Sequence, residues 1–205
     1  MIENARLLNQ RFPEALVQIY VANDVPSDIL EQLKEISTVR LVSVEHKPDA
    51  RNMFDRFQSI DEPDCSIMFV RDADSRPHAR DIACIEDFLE SDKGLHIIRD
   101  HYWHSTPLLG GLWGIRKSAL SEKMATMIGR WLEGKTDFPK QIDQMFLADT
   151  IYPLLKTNAM VHDRFAYYET GSALTPFRVE IKDRLFCGQV HRYDSSGNEY
   201  TEFEL

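Results

Sequence analysis

The chain has 205 residues, 43% of them hydrophobic and 28% charged, with nine glycines and nine prolines. That is enough for one large domain or two small ones with ample core material, and it excludes disordered, collagen-like and disulfide-scaffold classes. The formal net charge is −9, and no run of Lys or Arg supplies the basic face that a phosphate backbone requires, so nucleic acid is not an expected partner.

In chain order, Ile2, Ala5, Leu8 and Phe12 fall at helical spacing, and Pro13 ends a first helix over 2–12. "ALVQIYVA" (15–22) reads as a strand. "VPSDILEQLKEIS" reads as a helix capped by Ser27, with Ile29, Leu30, Leu33 and Ile36 on one face. "VRLVSVE" (39–45) alternates as a second strand, and "ARNMFDRFQSI" (50–60) is helical. "CSIMFVRD" (65–72) is the continuous apolar strand expected at the centre of a parallel sheet.

A helix follows Pro77 to about Ser91, and then comes the strand "LHIIRD" (95–100). "PLLGGLWGIRK" (107–117) is glycine-rich with a strand-like end. Helices follow near 118–133 and 139–156, then a short strand "AMVHD" (159–163). The tail from Ala166 to Leu205 is irregular with short strands. No repeat, low-complexity segment or linker interrupts the chain. Strand and helix alternate, which predicts one α/β domain over 1–205 with a mainly parallel sheet flanked by helices.

Cys65, Cys84 and Cys187 are odd in number, lack CxxC spacing and lie in apolar contexts, as buried free thiols of a reducing compartment do. The N-terminal stretch has acids where a signal peptide is basic, and no segment reaches the roughly 18 apolar residues of a membrane span. A cytoplasmic protein is the expectation. Nothing in the sequence defines an oligomeric state.

Asp72 and Asp74 follow the apolar run Ser66–Val70 with one residue between them. On an extended strand residues i and i+2 share a side, and two carboxylates so placed repel unless something positive joins them. A hard divalent cation, Mn²⁺ or Mg²⁺, bridges carboxylates to ligand phosphates, and ligands of such sheets bind at the carboxyl ends of strands. Arg71 and Arg76 flank the acids, as surface ion pairs or as guanidiniums that orient the acids or meet phosphate.

With "RDADS", "HIIRDH", "GGLWG", "IDQMFLADTIYPLL", "VHD" and "FCGQ" in this order, residues 50–190 resemble a family of small GT-A fold, Rossmann-like nucleotide-sugar glycosyltransferases. The resemblance implies a DxD element, Asp72 and Asp74, holding the metal on a nucleotide diphosphate sugar, UDP-sugar favoured. The acceptor is then a hydroxyl of a saccharide or glycoconjugate. It also implies a C-terminal histidine on the metal, His191, with His162 the competitor. The family more often has an acidic or aromatic stretch after "GQ", so "CGQVHR" is a departure.

Three further groups join the candidate site. Arg99, Asp100 and His101 pass from a strand into a loop at the ligand edge, either as a solvated turn or as a sugar contact. Gly110 and Gly111 allow close backbone approach, and Trp113 beside them is either core or a face for sugar stacking. Asp143 and Gln144 open a helix, where an acid suits the dipole. The pair resembles the donor-sugar element of retaining enzymes, so retention is expected over inversion by a base such as Asp100 or His101.

In the resembling proteins a strand and loop precede the helix that here begins at Ile2, so the usual first strand is expected to be lacking. Two alternatives stand beside the transferase. One is a haloacid-dehalogenase-like phosphohydrolase, in which the first Asp is a nucleophile. The other is a non-catalytic nucleotide-sugar binding module.

Overall fold

A computed structural model describes residues 1–45, 49–182, 184–196 and 198–201. The chain is α/β, its sheets flanked by helices, and three of the four strands of the larger sheet point the same way. Helix α1 (Ile2–Arg11), strand β1 (Val17–Val21), helix α2 (Ser27–Lys34) and strand β2 (Val39–Ser43) form a first unit. In it β1 and β2 pair in parallel, and Ala5, Leu33 and Ile36 are buried between helices and strands. Ser27 is the first helical residue of α2, not its cap. Pro26 precedes it, and no side chain caps the helix.

A 3-10 helix spans Ala50–Asp61, started by Asp49, whose carboxylate accepts the backbone N–H of Arg51 at 2.9 Å. It buries Phe54, Phe57 and Ile60 and leads to β3 (Ile67–Arg71). Then come α3 (Ala79–Glu90), β4 (Leu95–Arg99) and β5 (Leu112–Arg116).

The predicted helix near 118–133 is shorter. A single 3-10 turn covers Lys117–Ala119, and α4 begins only at Met124 and ends at Leu132. The reason lies far along the chain: the Asp61 carboxylate accepts the N–H groups of Met124 and Ala125 at 2.8 and 2.9 Å. It thereby satisfies first-turn donors that a helix cannot satisfy itself. Residues 142–155 stay helical throughout, as α5 (Ile142–Phe146), a π turn (Leu147–Ile151) and α6 (Tyr152–Leu155). β6 (Ala159–Asp163) follows, and β7 (His191–Tyr193) with β8 (Glu199–Thr201) closes the described chain as a hairpin. Residues 183, 197 and 202–205 of the predicted irregular tail lie outside the described residues.

The larger sheet runs β3-β5-β4-β6. β4 and β6 are parallel, and β5 runs antiparallel to both β3 and β4. β3 is therefore an end strand of this sheet among the described residues, not the centre of a parallel one. The central place belongs to β4, in which all five residues are buried. An apolar run records burial but not the direction of the neighbouring strand. Because β3, β4 and β6 point the same way, their carboxyl ends and the start of β5 share one edge of the sheet.

The core packs the 3-10 helix against this sheet and against α4–α6. Trp113, fully buried, meets Phe57 edge-on at 5.1 Å. Each such large apolar side chain contributes roughly 1.5–3 kcal/mol by burial. No described helix is long and apolar enough to cross a membrane.

Candidate functional site

The register of β3 on β5 builds the site. Arg71 pairs with Leu112, so the residue after β3 meets the residue before β5: Asp72 lies over Gly111. A Cβ on Gly111 would strike the Asp72 carboxylate, and one on Gly110 would strike Asp143 Oδ2 and lie 2.9 Å from Arg56 Nη2. Only glycine leaves this floor open. A cavity of about 120 Å³ stands here, lined by Met53, Arg56, Asp72, His104, Leu109, Gly110, Gly111, Leu112, Asp143, Gln144 and Gly188.

Arg56, from the 3-10 helix, sits between the two acids. Its Nη1 donates to Asp72 Oδ1, and its Nη2 donates to Asp143 Oδ2 at 2.8 Å. Asp143 is fully buried, and its Oδ1 has no hydrogen-bond partner among the described residues. Burial raises its pKa above the ordinary carboxylate value, and the Arg56 charge opposes that rise. Asp72 is half-exposed. Two carboxylates therefore share one guanidinium at the mouth of a polar cavity.

Of the residues expected from the sequence, Asp72, Gly110, Gly111, Asp143 and Gln144 come together here. Asp74 lies on the same loop but is exposed and outside the cavity lining. The others go elsewhere. Arg71 turns into the protein and holds Asp81 through Nε and Nη2 at 3.0 and 2.7 Å. Arg76 pairs at the surface with Glu199 at 2.7 Å and Glu3 at 3.2 Å. Trp113 lies wholly in the core, so no sugar can stack on it.

Asp100 is fully buried and spent on structure: Arg80 holds both of its oxygens at 2.7 and 2.8 Å, and the backbone N–H of Cys187 adds a third bond at 3.0 Å. That clasp ties the chain end of β4 to α3 and to the loop that carries Gly188. His162 is buried between His96 and Asp87.

The sequence gives no reason to single out Arg56 or His104. Arg56 follows Asp55 in an ordinary amphipathic segment, and His104 ends a loop in which Arg99, Asp100 and His101 draw notice first. Gly188 sits in the quoted "FCGQ". Its φ of +81° and the approach of Leu112 to within 2.6 Å of an added Cβ require glycine there.

The donor set can be tested against a divalent cation. Mg²⁺ or Mn²⁺ arriving on a diphosphate needs only one or two carboxylates from the protein. Asp72, with its carboxylate over the Gly111 cradle and Asp74 two residues on, fits that requirement. His191 does not join them. Its backbone N–H donates to Asp74 O at 2.7 Å, but its ring lies 3.3 Å from Glu199. Among the described residues no group of three or more His, Cys, Asp or Glu side chains is arranged to hold a metal.

No protein-family model matches the chain, and no curated protein does. Among solved structures it is similar to a glycosyltransferase involved in the glycosylation of the major capsid of PBCV-1. The TM-score is 0.46 and the identity 16%, over 72% of this chain and 81% of that one.

Proposed function

We propose that the chain is a GT-A-type glycosyltransferase that moves a sugar from a nucleotide diphosphate sugar, UDP-sugar favoured, to a hydroxyl of a saccharide or glycoconjugate. One observation carries this reading. Segments singled out in the sequence for their resemblance to such enzymes meet at one cavity: "RDADS" through Asp72, "GGLWG" through Gly110 and Gly111, "IDQMF" through Asp143 and Gln144, and "FCGQ" through Gly188. They are separated by tens of residues, and only folding brings them together.

The chemistry follows from the groups present. Arg56 supplies a fixed positive charge beside the diphosphate, where charge develops as the glycosidic bond breaks. Gly110 and Gly111 let the ligand approach the backbone. Asp143 Oδ1, buried without a partner among the described residues, accepts a hydrogen bond from a donor-sugar hydroxyl, and Gln144 adds amide contacts at the same helix start. Mn²⁺ or Mg²⁺ held by Asp72 and Asp74 supplies further neutralisation of the leaving diphosphate. Asp100 is engaged by Arg80 and does not line the cavity, which favours retention, with the leaving phosphate receiving the acceptor's proton.

The test is calorimetric titration with UDP, GDP and their sugars, with and without Mn²⁺. Binding of a uridine or guanosine diphosphate sugar supports the assignment, and no binding in any combination overturns it. Turnover with added acceptor then separates an enzyme from a binding module.

A further inference from the structure

The loop after β4 turns back on itself, and His104 closes it from inside. His104 N–H donates to His101 O at 2.8 Å. Its ring Nδ1 lies 3.0 Å from the backbone nitrogen of Asp100 and 3.2 Å from that of His101, in geometry that makes both N–H groups donors to it. A ring nitrogen that accepts two N–H groups has no proton of its own, so the neutral imidazole carries its hydrogen on Nε2. His104 is partly buried and is one of the residues that line the cavity, and no bond from Nε2 to a described residue is seen. The rings of His101 and Phe186, at 5.8 and 5.7 Å, hold it in place.

We propose that His104 is a substrate-binding residue of this cavity: a neutral imidazole locked as the Nε2–H tautomer, donating one hydrogen bond to an oxygen of the bound nucleotide diphosphate sugar. The inference rests on the nucleotide-sugar reading for its ligand, but the tautomer stands on geometry alone. The ring cannot act as a base: Nδ1 is filled by two donors and Nε2 already bears hydrogen. It cannot supply charge either. The titratable groups that face it are His101, Asp100 and Asp163, and burial with the neighbouring His101 pushes its pKa down to about 4. It therefore donates unchanged through neutral pH, the part a neutral histidine plays when it must polarise an oxygen without being protonated.

Two measurements test this. Long-range proton–nitrogen correlation spectra of histidine-labelled protein are expected to show His104 as the neutral Nε2–H form from pH 8 down to pH 5.5. An Nδ1–H form or an imidazolium at pH 7 overturns the tautomer. Calorimetry with UDP and a UDP-sugar is expected to show affinity for the UDP-sugar on the order of ten-fold weaker in His104→Phe. His104→Gln, which keeps an amide donor, should recover part of it. Equal losses for UDP and UDP-sugar place the bond on the uridine diphosphate part, and a loss for UDP-sugar alone places it on a sugar oxygen. Unchanged affinity in His104→Phe, with wild-type binding intact, sinks the His104 assignment only. Failure of wild type to bind UDP, GDP or their sugars sinks the nucleotide-sugar reading and the ligand assigned to His104 with it.

Discussion

Arg56 and Asp143, 87 residues apart, are joined by a hydrogen-bonded ion pair of 2.8 Å in which the carboxylate is wholly buried. The other arm of the same guanidinium holds Asp72. Breaking a buried pair by removing one partner costs about 3–5 kcal/mol, because the remaining charge stays buried. That is a large part of a domain's total stability of roughly 5–15 kcal/mol. Arg56→Ala is expected to lower the urea midpoint strongly. Asp143 then becomes easier to protonate, so the loss should be smaller at pH 5 than at pH 8. Arg56→Lys should rescue little, since an ammonium cannot fork to two carboxylates. A midpoint in Arg56→Ala within experimental error of wild type would show that the fork is not structural.

Asp72→Ala and Asp74→Ala are expected to keep the fold, since both side chains reach solvent, and to lose metal-dependent binding of the nucleotide sugar. The check is a thermal melt beside a titration with and without Mn²⁺. A large drop in melting temperature without metal would instead make the acids structural.

The two floor glycines should respond differently to alanine. At Gly111 the new Cβ meets the half-exposed Asp72 carboxylate, which can swing aside. At Gly110 it meets Asp143 and Arg56, which are locked together. Gly110→Ala is therefore expected to cost about 1–3 kcal/mol as overpacking, and Gly111→Ala less, while both lose nucleotide-sugar binding. Denaturant unfolding that ranks them the other way contradicts the packing described.

Asp100→Ala removes the partner of Arg80 and the acceptor for Cys187 N–H. The expected outcome is a loss of stability of about 3–5 kcal/mol. In the milder Asp100→Asn, any residual transfer should give a product with the same anomeric configuration as the donor. Proton NMR of the product reads this. An inverted product from wild type would end the case for retention.

Stability should fall in mild acid. Burial holds the pKa of His96 well below the ordinary histidine value of about 6.5, and that of His104 down to about 4. Above pH 6.5 neither state of the protein binds a proton at these sites. Below it the unfolded chain does and the folded one does not, which favours unfolding by about 1.4 kcal/mol per pH unit for each histidine. His104 stops contributing to the slope below about pH 4, and Asp143, raised in the folded state, works in the opposite direction. Urea midpoints measured from pH 8 to pH 5 should be flat at first and then decline. A flat series throughout would mean that the histidines take up protons in place.

Much of the fold was legible along the chain, because periodicity reports burial. The strand–helix alternation, the acids at the end of β3, the glycine pair before β5 and the Asp143–Gln144 helix start all follow from local spacing and backbone chemistry. Spacing also put Arg71, Asp100 and Trp113 near the ligand edge, but their side chains turn away from the cavity. What moved them was which way each side chain turned: Arg71 toward Asp81 on α3, Asp100 toward Arg80, and Trp113 onto Phe57. Arg56 and His104 had no local mark at all. Arg56 matters because the 3-10 helix packs beside α5, and His104 because a loop closes onto its Nδ1. Sequence decides which residues share an element and a face. Strand register and helix packing decide which elements meet, and an ion pair or a locked tautomer exists only once they have met.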